Sequence, residues 1–410
     1  MMHINKPTRR DCLLTGAAVV SGLAMLPKGN ATPPPGNGLR YATPQAIGLD
    51  PQRLQVAIDM LGRWTRGDNP PIPGGVILVG KGDQLVSPHF FGRQGPEADA
   101  PRIRPDGLFL MASISKPVTY MGAMLLVEQG LLNLSDRVTR YIPEFAANGK
   151  DETLVAHLFT HTSGMPDMLP NNVELRRRHA PLQDFIAGAI RARPLFRPGT
   201  RLSYQSMGTL VVAEIIQRLT RMSIRDYLRQ RIFGPLGLTS IGLGSQGFDR
   251  ERLVRVQVPD WQENTDFNWN STYWQQLGAP WGGMFSSPED FAVICRVMLN
   301  GGRHGETQLL SPASVRMMTT NRLNDYPDLP ESVRRTQPWG LGWRMNHPGN
   351  RGSWGDLLGR HVFGHTGATG TMVWMDPRTQ GFCLLLTNAI RAAAPWRLVH
   401  LSNAVAASFT

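Results

Sequence analysis

Strand-like sequence stands at the two ends of this chain and helix-patterned sequence fills the space between. Residues 75–79 read as a strand, and Lys81-Gly82-Asp83 turns the chain back into a second one over 84–91. Strand patterns return only at 341–345, 361–364, 371–375 and 381–387, with Asp376-Pro377 turning between the last two. The middle predicts helices over 153–161, 182–192, 206–221, 223–232 and 288–300, the last opened by Ser287 with Pro288 at its first position. A further helix follows Asp50-Pro51, carrying Leu54, Ile58, Leu61 and Trp64 on one face, and a closing helix spans 396–407. Strands so far apart in sequence bury their apolar faces most economically in one antiparallel sheet built from both chain ends. The expectation is an α+β domain over 45–410, with a sheet lobe from 45–112 and 338–410 and a mainly helical lobe from 113–337. At 410 residues the chain is long enough for a large core.

The first 31 residues read as an export signal. Arg9-Arg10 is a twin-Arg pair, residues 12–26 are apolar, and Gly29-Asn30-Ala31 offers small residues for cleavage. An ordinary secretory signal is the alternative; Cys12 lacks the sequence context of a lipid anchor. Residues 32–44, with Pro33-Pro34-Pro35-Gly36, form a Pro/Gly-rich linker. The expected location is periplasmic or secreted, without a stable membrane span once the signal is gone, since no apolar run reaches the ~20 residues a span needs. Signal removal takes three net positive charges from the formal +12. The remainder is dispersed, apart from Arg176-Arg177-Arg178-His179 and a helically spaced set, Arg221, Arg225, Arg229 and Arg231, that reads as a solvated face. No nucleic-acid motif is present, and attraction to anionic envelope polymers is the most this charge implies. Cys295 and Cys383 both sit in apolar patterns and read as core residues, not a disulfide.

Chemistry concentrates at Ser113-Ile114-Ser115-Lys116. A helix opening here, with Val118, Met121, Met124, Leu125 and Glu128 on an amphipathic pattern, puts residues three apart on one face. The Lys amine then stands beside the Ser hydroxyl, near the free N–H groups of the first turn. The chain holds 43 basic residues, but its lysines are only Lys6, Lys28, Lys81, Lys116 and Lys150. Arg cannot act as a neutral base, whereas a buried Lys can. The pair points to serine acyl-transfer chemistry.

Two later stretches supply what such a pair needs, a proton relay and an oxyanion donor. One is Phe196-Arg197-Pro198-Gly199, running into Tyr204; the other is Phe363-Gly364-His365-Thr366-Gly367-Ala368. Together with His161-Thr162-Ser163-Gly164, Pro235-Leu236-Gly237-Leu238 and Gly282-Gly283-Met284-Phe285-Ser286-Ser287, these segments resemble the serine β-lactamase and penicillin-binding-protein superfamily, in family order over about residues 45–390. The resemblance is to the class C-like branch with D-alanyl-D-alanine carboxypeptidases, family VIII esterases and the lovastatin acyltransferase. It implies a β-lactamase/transpeptidase-like fold. It implies Ser113 as nucleophile, Lys116 as its base, and Tyr204 as proton relay. It further implies the backbone N–H groups of Ser113 and Ala368 as oxyanion hole, with Ser206, His365, Thr366 and Gly367 binding substrate. No cofactor and no metal is implied, and the partner is a small-molecule ester, a β-lactam or a D-amino-acid peptide.

Two departures shift the expectation towards esters. Ser206 stands where the family has Asn, and is shorter with one donor. His365 replaces a permanently charged Lys, and near neutral pH a His is only partly charged. The i,i+4 pairs His157/His161 and His361/His365 lack a metalloprotease helix pattern, and the second lies on strand-like sequence. Glu144-x-x-x-Asn148 precedes Tyr204, the wrong order for a class A deacylation motif, and Gly244-Ser245-Gln246-Gly247 falls short of a nucleophile elbow. The aromatic run 261–281 packs the helical lobe or lines the acyl pocket. The expected activity is hydrolysis of an ester through an acyl-enzyme. A β-lactamase or D-alanyl-D-alanine carboxypeptidase, or a non-catalytic penicillin-recognising protein, are the alternatives.

Overall fold

The computed structural model describes residues 37–348 and 354–410; the expected export signal and the start of the linker lie outside them. From the N-terminal stretch come β1 (Arg40–Tyr41), β2 (Gly74–Lys81), β3 (Gln84–Leu85) and β4 (His89–Gly92). The middle contributes β5 (Phe109–Leu110), β6 (Ile241–Leu243) and β7 (Met284–Ser286), which form their own three-stranded sheet, and a hairpin of β8 (Arg303–His304) and β9 (Thr307–Gln308). The C-terminal stretch gives β10 (Arg344–Met345), β11 (Phe363–Gly367), β12 (Thr371–Asp376) and β13 (Gly381–Thr387).

Among the described residues the main sheet has eight strands in the order β1-β3-β2-β13-β12-β11-β10, with β4 also paired to β2. Every pairing is antiparallel except β1 with β3. The two chain ends meet where β13 lies along β2, from Gly381↔Lys81 to Thr387↔Gly75.

Side chains alternate across these strands, and both faces are covered. Ile77, Val79, Met372, Trp374, Cys383 and Leu385 pack under the helices Pro51–Trp64 and Trp396–Ala406. Val76, Leu78, Val373, Phe382, Leu384 and Leu386 face the larger core, shared with the helices Ser115–Glu128 and Pro288–Leu299. Burial on both faces explains why the β13 sequence is an unbroken apolar run. Cys295 and Cys383 are buried free thiols, one in each core. The expected caps are made: the Asp50 carboxylate accepts from Gln52 and Arg53 N at 2.8 and 3.1 Å, and Ser287 Oγ accepts from Asp290 N at 3.1 Å. Such caps contribute about 1 kcal/mol each.

The structure corrects several element readings. The strand expected over 84–91 is cut in two at Val86-Ser87-Pro88, because Pro88 has no N–H to give the ladder. The strand at 341–345 shrinks to Arg344–Met345, since Gly342 at φ 90° belongs to a turn. The end of the expected linker joins the sheet: Arg40 and Tyr41 pair with β3, and Leu39 is buried. The helix expected over 223–232 runs only over Ile224–Leu228 and widens into a π-turn at Arg229–Phe233. The helix after Ser113 is not amphipathic. Residues 115–124 are buried on every side, so this helix runs through the core instead of lying on it.

Candidate active site

Ser113 sits in a short 3-10 turn, Ala112–Ile114, one step before the α-helix begins at Ser115. Ala112 is held at φ 48°, a left-handed conformation that a side-chain-bearing residue rarely adopts. Its surroundings hold it there. Thr369 Oγ1 donates to Leu110 O at 2.7 Å, and Thr371 Oγ1 to Met111 O at 3.1 Å. These bonds tie the β11–β12 turn to the serine turn. The contact is close enough that a Cβ on Gly367 would stand 2.5 Å from Met111 O and 3.0 Å from Ala112 Cβ. From the other side, Ser115 Oγ donates to Ala112 O at 2.6 Å and accepts from Met284 N at 3.0 Å.

Lys116 is fully buried. Its Nζ donates to Ser113 Oγ at 3.0 Å and to Trp281 O at 2.9 Å, and stands 4.8 Å from the centre of the Tyr204 ring. Burial lowers its pKa to about 7, with the nearby Asp167 carboxylate pulling the other way. A Lys poised near neutrality beside a Ser hydroxyl can take its proton. Lys150 is also buried, but its amine is spent on two carbonyls, Ala147 O at 2.7 Å and Ala192 O at 2.6 Å.

Tyr204 lies on the loop before the helix Met207–Thr220 and is held by the His161-Thr162-Ser163-Gly164 turn. Ser203 N donates to His161 O at 3.0 Å, and Gln205 N donates to His161 Nδ1 at 3.2 Å. The His161 ring packs 4.6 Å from the Tyr204 ring and 4.4 Å from Trp339. Burial around the phenol raises the Tyr204 pKa and a hydrogen bond with Ser113 opposes that rise, while 37 % of the residue stays open in the cavity it lines. The histidine pairs thus have separate duties: His157 accepts from Leu154 N at 3.1 Å, and His361 Nε2 meets Asp376 at 2.9 Å.

His365, Thr366, Gly367 and Ala368 line the opposite wall. His365 Nδ1 meets Thr366 O at 2.8 Å, and Nε2 is buried without a partner. Burial, together with the positive charges of Lys116, Arg344 and Arg391, lowers its pKa to about 3. His365 is therefore neutral at pH 7, not partly charged as its residue type implied. Among the backbone bonds here, Ile114 N donates to Met111 O and Gly370 N to Gly367 O; the Ser113 and Ala368 N–H groups take no part. Ser206 differs from expectation. Its Oγ–H donates to Asp167 Oδ1 at 2.6 Å, so its one donor is already committed.

These groups open into one cavity of about 580 Å³. Trp261, Trp269, Trp274 and Trp281 from the aromatic run line it, while Phe267 packs behind and Tyr273 donates to Ala180 O at 2.9 Å. Both expected roles of the run are thus filled, and Trp274 and Trp281 fill both, as core residues that also line the cavity. Further lining residues escaped the sequence, among them Asp167, Trp339, Arg344 and Arg391. No local pattern marks them. Arg344 arrives on a two-residue edge strand, and Arg391 follows β13, its backbone N donating to Ala368 O at 2.9 Å.

A family model described as Beta-lactamase matches residues 65–404. A relative from Escherichia coli (strain K12), named "Putative D-alanyl-D-alanine carboxypeptidase", is 26% identical over 85% of each chain. In fold the chain is similar to EstCE1, a hydrolase with promiscuous acyltransferase activity (TM-score 0.69, 18% identity, 87% of this chain and 99% of that one). It is likewise similar to a penicillin-binding protein homologue from Caulobacter crescentus (TM-score 0.68, 22% identity, 88% and 99%). A serine turn braced by a glycine strand, a buried Lys within reach of the hydroxyl, and a match over most of the length lead to one conclusion: the chain belongs to the beta-lactamase family of serine hydrolases.

Proposed function

We propose that the chain hydrolyses carboxylic esters through an acyl-enzyme on Ser113. Lys116 takes the hydroxyl proton as Ser113 Oγ bonds to the ester carbonyl carbon. The oxyanion rests on the N–H groups of Ser113 and Ala368. As the carbon–oxygen bond to the leaving group breaks, Tyr204 passes the proton to the departing alcohol. Water, deprotonated by the same relay, then attacks the acyl-enzyme and releases the acid. The observation that carries the ester preference is the Ser206–Asp167 hydrogen bond. It leaves the position that grips an amide in relatives without a free donor.

A specific observation favours the carboxypeptidase or β-lactamase reading as second. Arg344 and Arg391 line the cavity beside His365, with no carboxylate partner among the described residues. Guanidinium groups so placed suit a substrate carboxylate, and the name of the Escherichia coli relative agrees with this. Export is part of the proposal, supported by Arg9-Arg10 and the apolar segment after them; fractionation of cells expressing the full chain tests it.

Incubation with a fluorophosphonate, p-nitrophenyl butyrate and a chromogenic cephalosporin separates the readings. Ester turnover with labelling, both lost in Ser113→Ala, is the expected result. Cephalosporin turnover exceeding ester turnover establishes the second reading, and labelling without turnover of either substrate establishes a non-catalytic acyl acceptor. Undiminished labelling of Ser113→Ala would falsify the nucleophile assignment.

A further inference from the structure

Three of the four basic residues in the run 176–179 are answered by acids. Arg177 pairs with Glu174 at 3.0 Å, Arg178 with Asp184 at 2.7 Å, and His179 with Asp266 at 3.2 Å. Arg176 turns inward and is 3% exposed. No carboxylate among the described residues forms an ion pair with it. Its Nη2 donates to Gln262 Oε1 at 2.9 Å and Phe267 O at 2.7 Å. Aromatic rings surround the guanidinium, with Trp274 at 4.5 Å and Trp261 at 5.3 Å.

This corner holds an excess of donors. Arg176 Nε, Gln262 Nε2 and Trp274 Nε1 are buried without an acceptor, and Nη1 has no protein partner. Arg176, Gln262, Trp261 and Trp274 all line the cavity that contains Ser113. A dry cation without a counter-charge is costly, and the aromatic rings offset only part of that cost. A guanidinium with its Nη1 uncommitted can donate to a carboxylate and answer its charge.

We propose that this corner is a subsite for a carboxylate at the far end of the acyl group. The preferred esters are half-esters of dicarboxylic acids. The acyl chain runs from Ser113 along the tryptophan wall, and its terminal carboxylate meets Arg176. The inference rests on the acyl-enzyme reading above, which simple esters test separately.

The test compares p-nitrophenyl monoesters of adipic, pimelic and suberic acids with the hexanoate, heptanoate and octanoate esters, on the full chain, with Ser113→Ala as the blank. At the length that spans the cavity, wild-type kcat/KM favours the carboxylate-ended ester about tenfold to a hundredfold, the scale of a charge-assisted hydrogen bond. Arg176→Gln lowers the carboxylate-ended rate at least tenfold more than the methyl-ended rate, and Arg176→Lys recovers part of the difference. The proposal is overturned if no length favours the carboxylate in the wild type. It is equally overturned if both series fall together in Arg176→Gln, which makes Arg176 a strut of the wall, or if the preference survives that change, which moves it to Arg344 and Arg391. If Arg176→Gln does not fold, the wild-type length series decides alone. Hydrolysis of the methyl-ended esters, or its absence, reports on Ser113 acylation independently.

Discussion

The Ser206 hydroxyl donates to Asp167 Oδ1 across 2.6 Å, in the same cavity wall as Tyr204. Asp167 also acts on Lys116 by charge, favouring the ammonium form. Asp167→Asn removes that charge and makes the amine easier to deprotonate. The acid limb of kcat/KM for p-nitrophenyl butyrate should therefore move to lower pH. A shift to higher pH, or none, would show that Asp167 does not set the protonation of the base.

The acid limb of the wild type should fall near pH 7, where Lys116 loses its proton. His365, lowered to about 3, is neutral on both sides of that limb. His365→Gln should leave the limb in place whatever it does to the maximal rate. A limb that disappears with the imidazole would assign the titration to His365 instead.

A buried base carries a cost that depends on pH. Lys116 binds its proton more weakly folded, at about 7, than unfolded, near the ordinary Lys value of about 10.4. Below pH 7 both states hold the proton and the full penalty, on the order of 4 kcal/mol, is present. As pH rises from 7 to about 10.4 the folded state has released its proton while the unfolded state still holds one, so stability climbs. Lys116→Met removes the titration. Urea unfolding should find this variant inactive but more stable near pH 7, with the gap closing towards pH 10. A gap independent of pH would mean the amine is not strained by burial.

Gly367 admits no side chain. A Cβ there meets Met111 O at 2.5 Å, so Gly367→Ala must push β11 away from the serine turn. The expected loss is about a hundredfold in kcat/KM, because misplacing reactive groups by an ångström has that effect. Stability should fall by about 1–3 kcal/mol. Near-normal turnover would show that the strand and the turn move independently.

Trp269 is a partly buried member of the aromatic wall, and it also lines the cavity. Trp269→Ala should widen the acyl end and flatten the preference among p-nitrophenyl esters of different chain length. An unchanged chain-length profile would reduce the ring to packing.

Local pattern made much of this molecule readable. Near-continuous apolar runs and the Asp376-Pro377 turn marked β12 and β13, and Ser113 with Lys116 was visible because three residues make nearly one helical turn. Tyr204 and His365 needed the family resemblance, since nothing in their own neighbourhoods announces chemistry. Other features lay beyond local reading for a physical reason. Pattern reports which face of an element is apolar, not what the folded chain brings against it. The helix after Ser113 reads as amphipathic because Val118, Met121, Met124 and Leu125 fall at helical spacing before Glu128, yet its first ten residues are enclosed. Asp167 and Trp339 reach the cavity on loops and Arg391 on a single 3-10 turn, segments too short or irregular to show a period. In the run 176–179 the sequence marks four basic residues but cannot tell the one that turns inward from the three that stay at the surface.

The pairing of β13 with β2 joins residues about three hundred positions apart. A ribosome releasing this chain has made the serine turn, the buried Lys and the whole aromatic wall long before the strand that completes the sheet exists. Until residue 387 emerges, β2 has an open edge on that side and β12 lacks its neighbour. Contacts this distant in sequence form slowly and leave apolar edges uncovered meanwhile. Acquisition of activity should thus be a late, cooperative event governed by the last few dozen residues, and holding chaperones should matter more during synthesis than after it.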